Sequence, residues 1–337
     1  MGEKNGVLLI QLGTPDSPKI SDVRKYLSEF LNDERVIDIP WLARKILVNL
    51  IIVPFRAPKS AKIYRELWTE KGSPLLFYSE SLKKKVQNVL PDNYDVYLAM
   101  RYQNPSMESV LAQMKKKQYD EIIIFPLFPQ YASATSGSAI EKAVGIIKNW
   151  WVIPQLKIVS HFYEDENFIN SFVQRASKFN FDEYDHVLFS FHGLPNRQVD
   201  KVYEDGKPCS DHDCELKITE ENKFCYKAQC YATTRLISER LNIPESKFSV
   251  CFQSRLNKDW LEPFADKTLI KLAESGIKKV LVFSPAFVAD CLETLIEIGS
   301  EYQSLFKSHG GEKVQLVESL NDNDDWVDGL AKIILSK

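Results

Sequence analysis

The sequence predicts an α/β fold made of two similar doubly wound lobes, each with a parallel sheet covered by helices. Short apolar segments alternate with helical segments along the chain, an order typical of parallel sheets. The 337 residues are enough for two hydrophobic cores. The halves also resemble each other, since Gly6–Pro15 is similar to His186–Pro195 and Ile122–Phe128 to Val280–Phe287. The alternative is a chance likeness between apolar strands. We expect the active cleft between the lobes.

Short runs rich in apolar residues are the predicted strands, four in each lobe. Turn residues bound most of them, and none has the length of a typical helix. In chain order they are Gly6–Leu12, Val96–Arg101, Glu121–Phe128, Leu156–His161, His186–Phe191, Phe248–Gln253, Val280–Ser284 and Val314–Ser319.

Segments with apolar residues at helical spacing separate the strands, and each is expected to cover one face of a sheet. These segments are Ile20–Phe30, Ser79–Val89, Met107–Lys117, Ala139–Trp150, Glu166–Phe179, Tyr231–Leu241 and Thr268–Ser275. A further helix is predicted within Ala286–Tyr302, after the strand Val280–Ser284.

The predicted domains meet after residue 163. Residues 1–163 form the N-terminal lobe, which includes an apolar lip at Trp41–Phe55. Residues 164–337 form the C-terminal lobe, which includes a polar, cysteine-rich insertion over 205–230. The insertion breaks the alternation of strands and helices.

Composition excludes several functional classes. A net charge of −3 argues against nucleic-acid binding, which needs a basic face. The apolar fraction of 44% and charged fraction of 26% are those of a soluble globular protein. The longest apolar run, Ile46–Phe55, is interrupted by Asn49 and Pro54 and is far shorter than the roughly 20 residues of a membrane-spanning helix. Because no signal peptide is evident at the start, we expect a cytoplasmic location.

The lip has the composition of an element that lies in a membrane interface. Apolar anchors in Trp41–Phe55 are accompanied by the cations Arg44, Lys45 and Arg56. We therefore expect peripheral contact with the inner face of a membrane. The alternative is a buried helix of the N-terminal lobe.

His192 is the strongest single candidate for a catalytic residue. It follows the buried strand Val187–Phe191 and precedes Gly193 and Pro195, which indicate a turn. Ligands of open parallel sheets bind outside the carboxyl ends of the strands. An imidazole titrates near pH 6.5 and is a competent base at physiological pH. The alternative is a structural histidine.

Three glutamates recur at every fourth position in the helix predicted after the seventh strand. Glu293, Glu297 and Glu301 would share one helix face, with Asp290 and Cys291 at the helix entrance. Carboxylates grouped in a cleft repel one another, which raises their pKa values and helps them pass protons or hold a hydrated divalent cation loosely. The alternative is a solvated acidic face.

Aromatic and polar residues follow the ends of other strands. Arg101 and Tyr102 end one strand, Tyr131 and Ser133 follow another, and Trp260 comes after a third. Together they are suited to lining a flat aromatic ligand and binding its carboxylates. Each alone is equally typical of ordinary loops.

The cysteines form a separate pattern. Cys209, Cys214, Cys225 and Cys230 have the spacing C-x4-C-x10-C-x4-C. Four cysteines this close are typical of a tetrathiolate site for Zn²⁺ or an iron–sulfur cluster. His212 is an alternative ligand. Two disulfides or free thiols are the other options, and a reducing compartment disfavours disulfides.

The predicted helix limits add an expectation about the last cysteine. With the helix predicted over Tyr231–Leu241, Cys230 would lie at its N-terminus, where a thiolate is favoured. Cys251 and Cys291 are separated from the pattern by strands and are expected to be free thiols.

The chain resembles the ferrochelatase family, the terminal enzymes of haem synthesis, over nearly its whole length. The resemblance implies two Rossmann-like lobes around a porphyrin cleft and insertion of Fe²⁺ into protoporphyrin IX, without an organic cofactor. It lies in these stretches: Leu8–Pro18, Tyr64–Leu75, Met100–Pro105, Phe128–Ser138, Phe189–Pro195, Phe252–Pro263 and Phe287–Ile298.

By this resemblance His192 and Glu293 are the catalytic pair that meets the Fe²⁺ substrate. Glu297 and Glu301, together with Asp290, belong to the path for protons or metal. The position of Cys291 is a histidine in some relatives. The implied porphyrin-binding residues are Leu12, Arg101, Tyr102, Tyr131, Ser133 and Trp260.

Some bacterial relatives hold a [2Fe–2S] cluster in an internal cysteine-rich segment. The resemblance therefore implies such a cluster on Cys209, Cys214, Cys225 and Cys230. Two other functions stay open at this point. One is a chelatase for coproporphyrin or another tetrapyrrole, and the other is a non-catalytic porphyrin-binding protein.

Overall fold

The computed structural model describes residues 3–336, and their strands form two four-stranded parallel sheets. The strand order is β2-β1-β3-β4 in the first sheet and β6-β5-β7-β8 in the second. The strands are β1 Asn5–Gly13, β2 Tyr94–Tyr102, β3 Glu121–Pro126, β4 Gln155–Ile158, β5 His186–His192, β6 Phe248–Gln253, β7 Lys279–Phe283 and β8 Lys313–Leu316. The predicted α/β class with two similar parallel sheets is confirmed.

Helices connect the strands. They are α1 Ile20–Leu31, α2 Trp41–Ile46, α3 Val53–Leu67, α4 Pro74–Val89, α5 Met107–Lys115, α6 Ser138–Ile147, α7 Glu166–Ala176, α8 Asn196–Val199, α9 Tyr226–Arg240, α10 Ala265–Glu274, α11 Gln303–Ser308 and α12 Asp324–Ser336. Three further segments are π-helical, with bonds reaching five residues back: Leu47–Ile52, Ser133–Gly137 and Glu293–Tyr302.

The chain divides into two compact units. Unit 1 comprises Met1–Phe128, Ala132–His161 and Asp322–Lys337, and unit 2 comprises Pro129–Tyr131 and Phe162–Asn321. The division therefore differs from a single boundary after residue 163, because the C-terminal helix α12 belongs to unit 1.

The core of unit 1 forms on both faces of its sheet. Leu8 and Ile10 of the central strand β1 are fully buried, and they pack with Leu111 of α5 and Ala143 of α6. A second cluster joins α1 and α3 to the end of the sheet, where Tyr102 is also fully buried. The strand is apolar without alternation because helices cover both its faces.

The C-terminal helix α12 is anchored within unit 1. Its Trp326 is fully buried. Lys85 of α4 lies 2.9 Å from the Asp324 carboxylate and also donates to the Asp322 carbonyl at 2.8 Å. These contacts explain why the chain end belongs with the first sheet rather than the second.

In unit 2 the central strand β5 brings His192 to the carboxyl edge of the sheet. Its first six residues are buried, and Phe189 stacks on Phe283 of the neighbouring β7 at 4.9 Å. His192 is the last residue of β5 and pairs with Gln253, the last residue of β6. The predicted position of the histidine at a strand end is therefore found in the structure.

Two helix predictions were wrong in ways that matter for the site. Helix α9 begins at Tyr226, not Tyr231, because its first turn buries polar residues such as Gln229 that resemble a loop in the sequence. The segment after β7 is irregular until Leu292 and then π-helical from Glu293 to Tyr302, not a single α-helix.

The segment Trp41–Phe55 forms α2, a π-helical turn and the start of α3, and it exposes large apolar side chains. Trp41 is 64% exposed, Leu50 70% and Phe55 74%. Arg44 is not one of its surface cations, since its side chain is buried and donates to the carbonyls of Ile37 and Ile39. Among the described residues, no helix is both long enough and apolar enough to cross a membrane.

Candidate active site

His192 is held in one orientation by its own turn. Its Nδ1 lies 2.6 Å from the carbonyl oxygen of Gly193. A carbonyl only accepts hydrogen bonds, so Nδ1 carries the hydrogen and donates. In the neutral ring the lone pair is therefore on Nε2. Nε2 is the atom that can take a proton from a bound molecule.

Aromatic rings flank this imidazole. The centroid of Trp260 lies 6.3 Å from that of His192, and the centroid of Phe287 lies 6.4 Å away. Trp260 is held beside the turn by a bridge to Pro195. The structure therefore brings the predicted residues His192 and Trp260 together and adds Phe287, which sequence reasoning did not select.

The turn after His192 requires a glycine. The Gly193 amide donates to the Gln253 carbonyl at 2.7 Å. A Cβ on Gly193 would lie 2.9 Å from that oxygen and 3.3 Å from the Trp260 ring. Because real Cβ atoms do not approach a backbone oxygen so closely, a side chain here would push the turn away from β6.

Gln253 joins the strand that carries His192 to the helix that carries the glutamates. Its side chain is 1% exposed, accepts from the Ser190 hydroxyl at 2.7 Å, and donates to the Glu293 carbonyl at 3.0 Å. It also donates to the Glu297 carboxylate at 3.0 Å. Its amide thus supplies both an acceptor and donors between two elements.

Glu297 is held by several hydrogen bonds. Its carboxylate accepts from the Ser254 amide at 2.8 Å, from the Ser254 hydroxyl and from the Tyr302 hydroxyl at 2.8 Å, besides Gln253. Ser254 has a φ of 62°, a left-handed conformation that turns its amide toward this carboxylate. The four donors fix the direction of the Glu297 side chain.

The other predicted acidic residues differ in their surroundings. Glu293 is half-buried and Glu301 is exposed. The Cys291 thiol is buried and its pKa is raised, first by burial and then by the Glu293 carboxylate beside it. The Asp290 carboxylate accepts from Thr294, the Ser319 amide and Asn321, so both its oxygens are used in holding the loop before the π-helix.

In unit 1, Arg101 and Tyr102 belong to a buried network around Asp33. Arg101 pairs with the Asp33 carboxylate at 2.5 Å, Tyr102 donates to it at 2.9 Å, and Ser138 also donates to it. Burial alone would raise the Asp33 pKa, but the bonds from Ser138 and the Arg35 amide and the charge of Arg101 outweigh it and lower the pKa. Burial raises the pKa of Tyr102, which stays a donor.

Arg101 also lines a cavity of about 800 Å³ beside α1. Of the predicted porphyrin-binding residues, the lining of this cavity includes Arg101. The Ser133 hydroxyl accepts from Arg35 at 2.9 Å, and Leu12 packs against the cluster that joins α1 and α3. The backbone amide of Tyr131, in unit 2, donates to Gln229 at 2.6 Å.

Three of the four predicted cysteines form one buried group. The Sγ atom of Cys209 lies 3.6 Å from that of Cys214 and 3.5 Å from that of Cys225, and the third separation is 3.7 Å. Thiolates at about 2.3 Å from one tetrahedral ion are about 3.8 Å apart. The three thiols therefore fit three corners of a metal site and can hold an ion.

Cys230 does not belong to this group, and the expectation that it begins helix α9 was wrong. Cys230 lies in the second turn of α9, and burial raises its thiol pKa well above the usual value. Cys225 is the residue that caps the helix, and hydrogen bonds from Cys209 and Cys214 lower its pKa to about 3. His212 stacks on Tyr203 at 3.8 Å, with its nitrogens toward Asp205 and Glu221, not toward the thiols.

Comparison with known proteins identifies the family of this chain. The family model described as Ferrochelatase matches residues 4–337. The chain belongs to the ferrochelatase family. It is therefore a chelatase-type enzyme of tetrapyrrole biosynthesis, a porphyrin metal chelatase.

Named ferrochelatases are similar over almost the full length. A ferrochelatase of Coxiella burnetii (strain CbuK_Q154) is 44% identical over 333 residues, which cover 98% of this chain and 93% of the relative. A ferrochelatase of Legionella pneumophila (strain Lens) is 42% identical over 332 residues, covering 98% of both chains.

Among solved structures, the fold is similar to that of SirB from Bacillus subtilis with Fe³⁺. The TM-score is 0.55 at 11% identity, with 99% of this chain and 95% of the other covered. The cobalt complex of the sirohydrochlorin chelatase SirB from Bacillus subtilis subspecies spizizenii gives a TM-score of 0.53 at 11% identity, with coverage of 98% and 93%. At such low identity the likeness shows the fold alone.

Sequence reasoning missed the residues that hold the selected ones. Gln253 is the last residue of β6 and Ser254 follows it. Residues at the ends of other strands had already been predicted to belong to the site. Asp33 follows α1 and had no recognisable pattern. A buried polar residue is found only when its partners, distant in the chain, are known.

We expect Asp33 to make stability depend on pH. Its pKa is lowered in the folded protein, so its contribution is complete above the unfolded pKa of about 3.9 and is lost as the pH falls through the folded pKa. Asp33→Asn should lower the free energy of unfolding at pH 7 by about 3 kcal/mol, because Arg101 keeps a buried charge without its partner. Denaturant unfolding from pH 7 to pH 3 measures this.

The difference between wild type and Asp33→Asn should shrink below about pH 4. Asp92→Asn is the control, since Asp92 is exposed. A constant difference from pH 7 to pH 3 would contradict the assignment of the Asp33 network.

Proposed function

We propose that this chain inserts Fe²⁺ into protoporphyrin IX to form protohaem, the terminal step of haem biosynthesis. The observation that carries the proposal is His192 at the carboxyl end of β5, with the lone pair on Nε2 and with Trp260 and Phe287 beside the ring. Membership of the ferrochelatase family supports it.

The reaction needs a base. Protoporphyrin loses two pyrrole N–H protons as Fe²⁺ enters the ring, and no electron is transferred. Nε2 of His192 accepts a proton from the macrocycle, and the Nδ1–H bond to the Gly193 carbonyl keeps the ring oriented before and after the transfer. Trp260 and Phe287 offer flat apolar surfaces to a flat ligand.

The glutamates supply the second part of the mechanism. Glu293 is the proposed partner of His192, and Gln253 contacts both the Gly193 turn and the Glu293 backbone. Glu297, held by four donors, and the exposed Glu301 continue a path for protons or Fe²⁺ toward solvent. Asp290 supports this path through the loop that it organises rather than by carrying protons.

The porphyrin-binding residues that we propose are mostly half-buried. Trp260 and Tyr131 offer aromatic surface, and Arg101, Ser133 and Leu12 are half-buried as well. The six proposed positions do not contribute equally. Tyr102 is fully buried against Asp33, so it acts by holding Arg101 rather than by touching the ligand.

Two other functions compete with this proposal: insertion of metal into coproporphyrin, and porphyrin binding without catalysis. Anaerobic assay of Fe²⁺ insertion into protoporphyrin and coproporphyrin side by side decides between them. Faster turnover of coproporphyrin would replace the proposed substrate, and binding of both without turnover would favour the non-catalytic function.

The group of three thiols at Cys209, Cys214 and Cys225 is proposed to hold a [2Fe–2S] cluster together with Cys230, which lies in the second turn of α9 and would be the fourth ligand. Such a cluster takes two thiolates on each iron, and the four cysteines of the segment supply that number. The close spacing of Cys209, Cys214 and Cys225 suits one ion equally well, so a single Zn²⁺ is the alternative.

Peripheral membrane contact is proposed for the exposed face formed by Trp41, Leu42, Leu50, Ile51 and Phe55. These side chains are each more than half exposed. Lys45 and Arg56 lie in the same stretch and would meet anionic headgroups. A cytoplasmic protein bound at the inner face of a membrane is consistent with a hydrophobic porphyrin substrate.

His192→Ala and Glu293→Gln should each lower the rate of Fe²⁺ insertion by at least about 100-fold, because they remove a base and a carboxylate at the reacting centre. His309→Ala is the matched control and should stay within a few-fold of wild type, and Glu301→Gln should lower the rate far less than Glu293→Gln. Initial rates of haem formation, with thermal unfolding curves for each variant, are the measurements.

The result that contradicts the assignment is His192→Ala turnover within tenfold of wild type at an unchanged melting temperature. Equal losses in Glu293→Gln and Glu301→Gln would indicate a relay distributed along the π-helix.

Anaerobically purified protein should be coloured, with iron and acid-labile sulfide near two per chain and with visible absorption lost on dithionite reduction. Cys209→Ala, Cys225→Ala and Cys230→Ala should each lose the cluster. Cys251→Ala is the control, because this buried thiol lies outside the group. Colourless protein with one zinc per chain, retained in Cys230→Ala, would reject the cluster and keep the metal site.

The protein should sediment with liposomes that contain anionic phospholipid at low salt. Leu50→Glu should weaken this binding, because it removes an apolar anchor and adds a negative charge. Leu256→Glu makes the same change at an equally exposed leucine, 73% against 70%, and should leave binding unchanged. Equal effects of both substitutions, or no binding of the wild type, would refute the membrane-binding face.

A further inference from the structure

The first turn of α9 contacts the backbone of His192. The Tyr226 hydroxyl donates to the His192 carbonyl at 2.9 Å. Tyr226 is 6% exposed, so this bond has little competition from water. The contact is to the residue that carries the imidazole, at the end of β5.

The same turn contacts a second proposed site residue. The side-chain oxygen of Gln229 accepts from the Tyr131 amide at 2.6 Å, and its side-chain NH₂ group donates to the Lys223 carbonyl at 2.7 Å. Gln229 is fully buried. Its one side chain therefore links Tyr131 to the chain just before Cys225.

This turn begins beside the group of three thiols formed by Cys209, Cys214 and Cys225. Cys225 caps α9 and immediately precedes Tyr226, and its carbonyl accepts from the Gln229 amide at 3.0 Å. Its Sγ lies 3.5 Å from Cys209 and 3.7 Å from Cys214. The Cys209 amide donates to Asp200 at 2.8 Å, which ties the group to the segment that follows His192.

Thiols and metal-bound thiolates hold such a turn very differently. S–H groups are weak hydrogen-bond donors, whereas three thiolates on a metal are joined through strong bonds that contribute directly to folding. Outside the thiol group this segment is polar, with few apolar residues to form a core. The position of Cys225, and with it the start of α9, is therefore better defined when a metal is bound.

We propose that Tyr226 and Gln229 are positioning residues that couple metal binding at Cys209, Cys214 and Cys225 to the backbone of His192 and Tyr131. The inference rests on the proposed function only in treating His192 and Tyr131 as site residues. It assigns the metal a supporting role outside the chemistry of insertion. By linkage, porphyrin bound at these residues strengthens metal retention by the same factor.

The first test follows the NMR signal of the His192 imidazole. Proteins with labelled histidine are compared by NMR in the metal-loaded state and after chelation under reducing conditions, and the His192 signal is assigned by its loss in His192→Asn. Metal removal should shift the His192 signal in the wild type. The shift of the His192 signal should be much smaller in Tyr226→Phe, which lacks only the hydroxyl.

Tyr231→Phe is the matched control, since it removes a hydroxyl from the same helix at a position whose described contacts do not include His192. Its His192 signal should respond to metal removal as in the wild type. The coupling is overturned if Tyr226→Phe responds like the wild type, if the wild type does not respond, or if the protein takes up no metal on reconstitution.

The second test measures protoporphyrin affinity without Fe²⁺, by quenching of tryptophan fluorescence. Metal removal should weaken binding to the wild type by about fivefold or more, a typical coupling between two sites. The same removal should change binding to Tyr226→Phe and Gln229→Leu by less than about twofold. Gln229→Glu keeps an acceptor for the Tyr131 amide and should restore part of the coupling.

The two tests separate this inference from the proposed function. If iron insertion fails but the His192 signal and porphyrin affinity follow metal loading, the coupling stands and the proposed reaction falls. If iron is inserted and neither quantity depends on the metal, the reaction stands and the coupling falls.

Discussion

The hydrogen bonds of Gln253 are the constraint on which the candidate site of unit 2 depends. The backbone carbonyl of this buried residue accepts from the Gly193 amide, and its side-chain oxygen accepts from the Ser190 hydroxyl. Its NH₂ group donates to the Glu293 carbonyl and to the Glu297 carboxylate. A shorter or charged side chain would leave at least one buried partner without its bond, which is costly. The end of β5 and the start of the π-helix are thereby held relative to each other.

Unit 1 also depends on a buried hydrogen-bonded network, but this one is built on a pair of charged groups instead of an amide. Arg101 and Asp33 are taken out of water together, and Tyr102 and Ser138 complete the hydrogen bonds of the carboxylate. A buried ion pair is tolerated when its remaining polar atoms are satisfied in this way. Arg101 therefore has a structural role beside any role toward a ligand.

The thiol group lies in a segment that cannot stabilise itself by apolar burial. Its polar residues surround three thiols in contact, and its end is the start of α9. This places a polar segment with few apolar residues next to the helix turn that contacts His192. A bound metal would strengthen this junction, whereas the sheet itself has a large apolar core and does not need it.

The sequence by itself determined the α/β class, the two parallel sheets, the strand-end position of His192 and the cysteine spacing, because apolar periodicity and turn residues are local properties. Only the tertiary structure decided that Cys230 lies outside the thiol group, that α9 begins at Tyr226, and that α12 returns to the first sheet. The partners of Glu297 and Asp33 were also beyond the sequence. Polar pairing joins residues far apart in the chain, and it depends on distances that arise only when the elements pack.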